Sequence, residues 1–395
     1  MKLEDMLKKD QLMYLERYVN DRKYADYATF SEVKNIYHPI EGKNSFMLGY
    51  TDLKKEDNYK VLLANPDKNL SIKPNRFYIH PEMLPDFEKD SGLRRLTQID
   101  GYMEVSPTSS TRTVWPVNNY GYYVKTHLDR RISRYIRRVR KSSVEHSIKI
   151  SRDIEEATDA PKEFGFLPET VGLTYGSIGQ IIRETEPRPC VYEKRMLIPY
   201  FSLHSKDMKN PDDEPLMVQM IKEKCAEPNN FFVEQLIKPV ISTWAFFAQN
   251  RGILLESHGQ NTLLELNYDL EPTRVVHRDF QSLMVDFDIR RIKGLHTNFE
   301  KHILGREDNI STKQNYSFVY DWFLGHYLFD KMIECMVKHF NSDEKKIKGS
   351  IKEVFNEQFK DQFEFFPEKV YGFTEEFGED NKTYLKIRQD EPDYR

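Results

Sequence analysis

Few folds accommodate the stretch Gly252–Phe280, GILLESHGQNTLLELNYDLEPTRVVHRDF, in which polar groups of matching chemistry bracket two apolar runs. Glu256, His258, Gln260 and Asn261 come first. An apolar segment, Thr262 to Leu266, a turn-forming segment, Asn267 to Pro272, and a second apolar run at Val275 and Val276 follow, and the stretch closes on Arg278 and Asp279. Apolar runs bounded by turn formers predict two strands joined by a hairpin-like turn. Side chains alternate along a strand, so Glu256, His258 and Gln260 share one face if their segment is extended. Two carboxylates, an amide and an imidazole then converge on one small area. Mg²⁺ uses oxygen ligands, commonly one or two carboxylates plus substrate phosphates. The stretch therefore reads either as a nucleotide–metal site or as a solvated hairpin with scattered polar residues.

Length and composition narrow the setting. With 395 residues, 39% of them hydrophobic and 13% aromatic, the chain can bury a large core, and its length predicts roughly two or three structural units. Its 59 basic and 63 acidic residues leave a net charge of −4, which gives no electrostatic case for nucleic acid or membrane as a partner. Cys190, Cys225 and Cys335 are far apart and show no CxxC spacing. They fit neither a zinc site nor a disulfide framework, and the expected compartment is the cytoplasm. The segment MKLEDMLKKDQLMYLERY is charged throughout and lacks the apolar core of a signal peptide. No apolar run reaches the length of about 18 residues that a transmembrane helix needs.

In chain order, residues 1–35 carry an imperfect helical spacing of Leu3, Met6, Leu7, Leu12, Leu15 and Tyr18. His38-Pro39 and His80-Pro81 place two histidines at strand ends or turns, because the residue before a proline is pushed towards extended geometry. SPTSSTRT gathers Ser110, Arg112 and further hydroxyls. Hydroxyls and backbone N–H groups contact phosphate oxygens, and arginine adds a permanently charged fork; the bland reading is a surface turn. Asn118, Asn119 and Gly121 mark a turn, after which YYVKTHL predicts a strand that returns Lys125 towards the SxR segment. From Leu128 the spacing of Ile132, Tyr135, Ile136 and Val139 predicts a basic helix. On it Ser133 and Arg137 are i,i+4 neighbours, and Arg137 points inward while Arg130, Arg131, Arg134, Arg138 and Arg140 stay outside. Mixed helix and strand follow over 142–190, then a strand running into a loop at 197–216. Helix is expected over 215–250, with Pro239 as a kink, and again over 315–340.

Taken together and in this order, these pieces resemble the siderophore synthetases that work independently of nonribosomal peptide synthetases, the aerobactin-synthetase-like IucA/IucC family. His38, Pro39, Lys43 and Gly49 match its first element with the lysine and glycine shifted, and His80 and Pro81 match the second with Glu82 and Met83 replacing the usual pair. Pro107, Thr108, Ser110, Arg112 and Thr113 match PT-x-S-x-RT. Lys125, Ser133 and Arg137 match a lysine–hydroxyl–arginine series, and Arg183-Glu184 an Arg-Glu pair. Gly252, Ile253, Glu256, His258, Gln260, Asn261, Arg278 and Asp279 match the GI-x-x-E-x-H-x-QN…RD signature without substitution. The region before His38 is shorter than is usual in the family.

The resemblance implies a mixed α+β fold of thumb, fingers and a mostly helical palm, here as a reduced N-terminal thumb over 1–75, a fingers-like domain over 76–215 and a palm over 216–395. It implies a cytoplasmic ligase, a homodimer in the family manner, that adenylates a carboxylic acid such as citrate with ATP and Mg²⁺. The enzyme then joins the acid to an amine or alcohol, releasing AMP and pyrophosphate. Ser110, Arg112 and Lys125 would hold the triphosphate; Glu256, Asn261 and Asp279 the metal; Ser133, Arg137 and His258 the carboxylate, with Arg112, Arg137 and His258 acting on the transition state. Two rival readings remain. One is a small-molecule kinase built on His277-Arg278-Asp279 with Asp286 and Asp288, although Met284 stands where a kinase has its metal-binding asparagine. The other is a family member that binds a ligand without catalysis.

Overall fold

The computed structural model describes residues 1–7, 11–20, 32–118, 120–132, 135–191, 195–224, 227–299, 311–360, 362–372, 376–377, 383–384 and 390–395. Asn119, Ser133, Arg134 and Cys225, all singled out in the sequence, lie outside the described residues. The fold is mixed α+β, with several sheets and a helical C-terminal region.

Strands β1 (Phe46–Asp52), β2 (Tyr59–Leu63), β3 (Arg76–Ile79), β4 (Gly101–Pro107), β5 (Thr113–Pro116) and β6 (Tyr122–Lys125) are followed by a short hairpin, β7 (Arg131–Ile132) and β8 (Tyr135–Ile136). Next come β9 (Phe164–Phe166), β10 (Glu169–Tyr175), β11 (Ile178–Glu184) and β12 (Met196–Pro199), then β13 (Ile253–Leu254), β14 (Thr262–Leu266), β15 (Pro272–His277) and β16 (Met284–Val285). An eight-stranded antiparallel sheet runs in the order β2-β10-β11-β6-β5-β4-β1-β3, and a four-stranded sheet in the order β12-β14-β15-β9. One face of the large sheet buries Leu48, Val105, Val124 and Leu173, while Phe77 and Ile79 of β3 point to the other. The Lys141–Glu155 helix lies on β10 and β11 through Val144 and Ile148. It can sit that close because Gly172 and Gly179 face it: a Cβ at either would come within 2.5 or 2.6 Å of a Val144 methyl.

The second core forms around Trp244, whose ring lies 5.0 Å from Tyr320 and within 6.2 Å of Tyr316 and Phe366. The Lys238–Arg251, Asp330–Phe340 and Glu344–Gln358 helices enclose it, with wide π-helical segments at Phe232–Ile237 and Phe318–Phe329. Pro239 lies where the wide turns of Phe232–Ile237 pass into the Lys238–Arg251 helix, so the change of helical winding stands at the proline, whose ring and missing N–H an unbroken α-helix would not accommodate. Met1, Leu3, Met6, Leu15 and Val19 pack into this same core, and the expected N-terminal helix is realised as Leu3–Leu7 and Gln11–Tyr18.

Three local expectations fail. The basic segment after Leu128 is not helical; it folds back as β7–β8, closed by backbone bonds from Leu128 N–H to the Arg137 carbonyl (3.2 Å) and from Arg137 N–H to the Arg130 carbonyl (3.0 Å). Helix begins only at Lys141. Arg130 and Arg138 take carboxylate partners, Asp86 and Asp129, each at 2.6 Å, and Ile136 is left exposed. The stretch after Leu254 is also not extended. Residues 258–261 form a turn in which the N–H groups of Asn261 and Thr262 donate to the His258 carbonyl, so Glu256, His258 and Gln260 do not alternate along a strand. In addition, the segment after Pro199 begins as a short helix, Tyr200–His204, rather than a loop.

A buried ion pair fastens the sheet-covering helix to the C-terminal region. Arg290, fully buried, donates in bidentate fashion to Asp153 at 2.8 and 2.9 Å and also to the Arg251 carbonyl. Arg290→Ala should lower unfolding free energy by about 3–5 kcal/mol, because it strands a buried carboxylate. Adding Asp153→Leu should restore much of the loss, as read by denaturant unfolding.

Candidate functional site

The loop between β4 and β5 turns tightly through Thr111, whose φ of +60° is a left-handed conformation for a β-branched residue. The loop's own hydroxyls hold it. Thr108 Oγ1 donates to the Thr113 carbonyl (2.8 Å), and Thr113 N–H donates to Ser110 Oγ (3.1 Å). Because β5 and β6 are neighbours, Lys125 stands directly opposite Thr113. On the next strand Arg183 stands opposite Tyr123, and Glu169 of β10 stands opposite Arg183. Sheet register alone thus aligns a hydroxyl loop, an ammonium and a guanidinium.

The β14–β15 hairpin supplies the other wall. Thr262 pairs with His277, so the residues just beyond, Asn261 and Arg278, are joined by the Arg278 N–H bond to the Asn261 carbonyl (3.0 Å). Asp279 follows with φ +74°, outside the ordinary range for a non-glycine residue. Its carboxylate is paired with Lys125 and lies 3.8 Å from Arg183. Arg183 is anchored in turn by Glu169 at 2.8 Å. Ser110, Tyr123, Arg183, Asn261, Arg278 and Asp279 line one small cleft that opens to solvent.

The charges in this cleft do not all cancel. Lys125 and Arg183 share Asp279 and Glu169, and Arg278 pairs with Glu16. Arg112, only 5% exposed, has no carboxylate partner among the described residues; one of its Nη atoms donates to the carbonyls of Arg137 (2.9 Å) and Arg138 (3.1 Å). Burial, reinforced by Arg137, pushes the Arg112 guanidinium down to about 10. Arg137 also lacks an ion pair among the described residues, and its Nε is enclosed without a hydrogen-bond partner. Burial lowers Lys125 to about 8 despite Asp279. Burial opposes ionising Asp279, but Lys125 and Arg183 outweigh it and hold the carboxyl well below the usual range. Burial also lowers His258 to about 4, so at neutral pH it is an uncharged imidazole. Its Nδ1 accepts from Gln260 N–H (3.2 Å), which leaves the ring proton on Nε2, 3.7 Å from Glu256. A site with surplus buried positive charge and preorganised hydroxyls is built to take up an anion.

Residues 79–197 match the IucA / IucC family. That segment belongs to it. No curated protein matches the chain in sequence. Among solved structures, the fold is similar to the aerobactin synthetase IucC from Klebsiella pneumoniae, with 16% identity, a TM-score of 0.67, and 93% of this chain against 74% of that one. It is also similar to petrobactin biosynthesis protein AsbB from Bacillus anthracis, at 18% identity and TM-score 0.63, covering 83% of this chain and 64% of AsbB. A third is ATP-bound aerobactin synthetase IucA from Klebsiella pneumoniae, at 15% identity and TM-score 0.60, covering 90% and 72%. The chain thus spans just under two thirds of AsbB's length.

Against the IucA / IucC pattern, Ser110, Arg112, Lys125, Arg137, Asn261 and Asp279 fall in or beside one cleft, with His258 close enough to feel the charges of Asp279 and Arg137. Ser133 lies outside the described residues. Glu256 does not line the cleft; its carboxylate accepts from Ser282 Oγ (2.8 Å). Among the described residues no group of three His, Cys, Asp or Glu is arranged to hold a metal ion. Both His-Pro histidines make turns instead of lining the cleft. His38 Nδ1 accepts the amides of Ile40 and Glu41, and His80, fully buried between Tyr37 and Phe46, caps the turn at Pro81. Among the described residues no helix is long and apolar enough to cross a membrane.

Sequence reasoning missed Glu16, Tyr123 and Glu169 and gave Arg183 no role. For Arg183 and Glu169 a signal existed: they face each other across a hairpin turning at Gly176, an opposite-charge pair in register. For Glu16 there was only a charge beside Leu12 and Leu15 on an amphipathic helix.

The Lys125 shift has a pH signature. Between about 8 and the ordinary lysine value of 10.5 the folded chain binds fewer protons than the unfolded one. This group's cost to stability is therefore full below that window and is relieved as pH rises through it. Anion binding has the opposite sign, since it favours charged Lys125. Affinity for sulfate, whose own charge is constant there, should fall as pH rises above about 8. Calorimetry at fixed ionic strength measures this; an affinity independent of pH between 7 and 9.5 would remove Lys125 from the anion site.

Proposed function

We propose that the chain is an ATP-dependent ligase that adenylates a carboxylic acid and passes the acyl group to an amine or alcohol, in siderophore or related biosynthesis. The observation that carries this reading is the positive charge of Arg112 and Arg137 beside the Ser110 loop, which has no ion-pair partner among the described residues. Joining a carboxylate to a triphosphate brings two anions together, and that requires fixed positive charge that does not have to reorganise. The IucA / IucC match and the fold likeness to an ATP-bound synthetase support it. Its setting would be the cytoplasm, with small-molecule partners and a homodimer as the family assembly. In this reading the eight-stranded sheet, with β1 and β2 from before residue 76, acts as fingers, and residues 216–395, joined by β9 and β12, act as palm, with the Gln11–Tyr18 helix packed on the palm.

In the first step a carboxylate oxygen of the acid attacks the α-phosphorus of ATP. The bond from that phosphorus to the bridging oxygen breaks, and pyrophosphate leaves. In the second, the amine nitrogen or alcohol oxygen attacks the acyl carbon, loses its proton to solvent, and AMP departs. Ser110, Arg112 and Lys125 would hold the phosphates, and Arg137 and Ser133 would orient the acid. His258, being neutral, would contribute an Nε2–H hydrogen bond rather than a charge. Asn261 and Asp279 have the oxygen chemistry that suits Mg²⁺ alongside phosphates; the ion would neutralise charge on the leaving pyrophosphate. A kinase built on the same segment is disfavoured by the surroundings of its aspartates. Asp286 caps the Phe287–Ile292 helix and accepts from Tyr316, while His277 is buried against Phe164.

The products discriminate directly: AMP with pyrophosphate is expected, and ADP would overturn the ligase. Arg112→Ala should lower turnover by about 100- to 1000-fold, the usual loss for one preorganised donor, in a chain that remains folded by circular dichroism. Arg137→Lys keeps the charge but loses the two-pronged fork. It should raise the KM for the acid more than that for ATP, and equal changes in both would take Arg137 off the carboxylate.

A further inference from the structure

The cleft is closed on one side by a residue that no motif accounts for. Glu16, on the Gln11–Tyr18 helix, has no exposed surface. Its Oε2 accepts from both the hydroxyl (2.5 Å) and the N–H (3.3 Å) of Ser109, and its Oε1 lies 2.5 Å from an Arg278 Nη atom. Ser109 Oγ also accepts from the Gln260 side chain (2.9 Å), and Arg278 Nε donates to the Gln260 carbonyl (2.8 Å). These contacts close a ring, hydrogen-bonded from Glu16 through Ser109 and Gln260 to Arg278 and closed by the ion pair between Arg278 and Glu16. Three separate segments of the chain meet in it. The next residue on the helix, Arg17, is almost as buried and donates to the carbonyls of Pro39 (2.6 Å), Asn44 (3.1 Å) and Lys43 (3.3 Å). One helical turn therefore grips both the hydroxyl loop and the first His-Pro loop.

We propose that Glu16 is a positioning residue that fixes the aim of the Ser109–Arg112 loop towards the phosphates, acting through Ser109 and the Gln260–Arg278 wall. This rests on the ligase reading for its ligand but not for its geometry. The physical reason is satisfaction. Ser109 adjoins Ser110, whose Oγ takes the Thr113 N–H, and the loop's left-handed Thr111 is held only if its neighbours are anchored. Glu16 supplies that anchor with two donors on one carboxylate oxygen, and a charge-assisted bond is about twice as strong as a neutral one. Gln260 and Arg278 then have a task that needs no contact with substrate: they hold the ring closed. Residue 16 also lies outside the 79–197 segment that matches the family.

The test uses the full chain and three variants: Glu16→Gln, Ser109→Ala and the double variant. Ser109→Ala leaves the Glu16–Arg278 pair intact, so it carries the test if Glu16→Gln does not fold. Without ligand, amide hydrogen exchange of residues 107–113 should become about 10-fold faster in both single variants, while the Lys238–Arg251 helix keeps its protection. The Kd for ATP should rise about 10-fold. The double variant should bind no more weakly than the weaker single one, because both break the same link. Unchanged exchange in 107–113 overturns the proposal, as does a double variant whose loss is the product of the single losses. Tighter ATP binding by Glu16→Gln also overturns it, since the carboxylate would then be competing for the phosphate position. If the wild type binds no ATP yet the loop loses protection in the variants, the ligase reading fails and the positioning role stands.

Discussion

The arrangement depends on how buried charge is compensated around Asp279. A guanidinium or ammonium removed from water loses several kcal/mol of hydration, and only a close opposite charge with further hydrogen bonds offsets that loss. Here Lys125 and Arg183 converge on Asp279, Arg183 turns also to Glu169, and Glu169 is held by Ser147 and by the Phe280 amide. That chain of contacts joins β6, β10, β11 and the Lys141–Glu155 helix to the end of β15. The two cores are thus linked by electrostatics at the place where the cleft opens. Beside this network, and among the described residues, an Arg112 Nη atom meets only carbonyls and Arg137 Nε has no hydrogen-bond partner. The surplus is local: the chain as a whole is slightly acidic.

Legibility followed the range of the interactions. The hairpin of β14 and β15 and the return of Lys125 towards the SxR segment could be read because adjacent strands with short turns translate sequence order into register. The segment after Leu128 was misread because its apolar spacing satisfies a helical period as well as a short hairpin. What decides is the set of distant carboxylates and backbone groups awaiting Arg130 and Arg138, and Asp86 is not visible as a partner from local pattern. The turn at 258–261 was hidden for a similar reason: Gly259 lies against the backbone of Phe201, where a Cβ would come within 3.0 Å of its nitrogen.

Of the residues at the cleft, those singled out in the sequence belong to ordered motifs, while Glu16 and Glu169 required the third dimension. Each is a carboxylate whose meaning is its partner. Glu169 could be found through strand register, but Glu16 reaches Ser109 and Arg278 across most of the chain's length. Glu256 shows the converse. It belongs to the most complete motif, yet its carboxylate is held by Ser282 outside the lining of the cleft.

Asp279 combines two constraints that pull on different properties of a side chain. Its left-handed backbone admits asparagine or glycine with little strain and resists β-branched or bulky residues. Its carboxylate, in contrast, is needed as a counter-charge for two cations. The residues that the backbone tolerates are therefore those that erase the charge while leaving the shape intact. Asparagine or glycine at this position would keep the local turn yet leave buried Lys125 without its counter-charge and Arg183 with Glu169 alone, so the exchange that spares the backbone falls instead on the seam between the two cores.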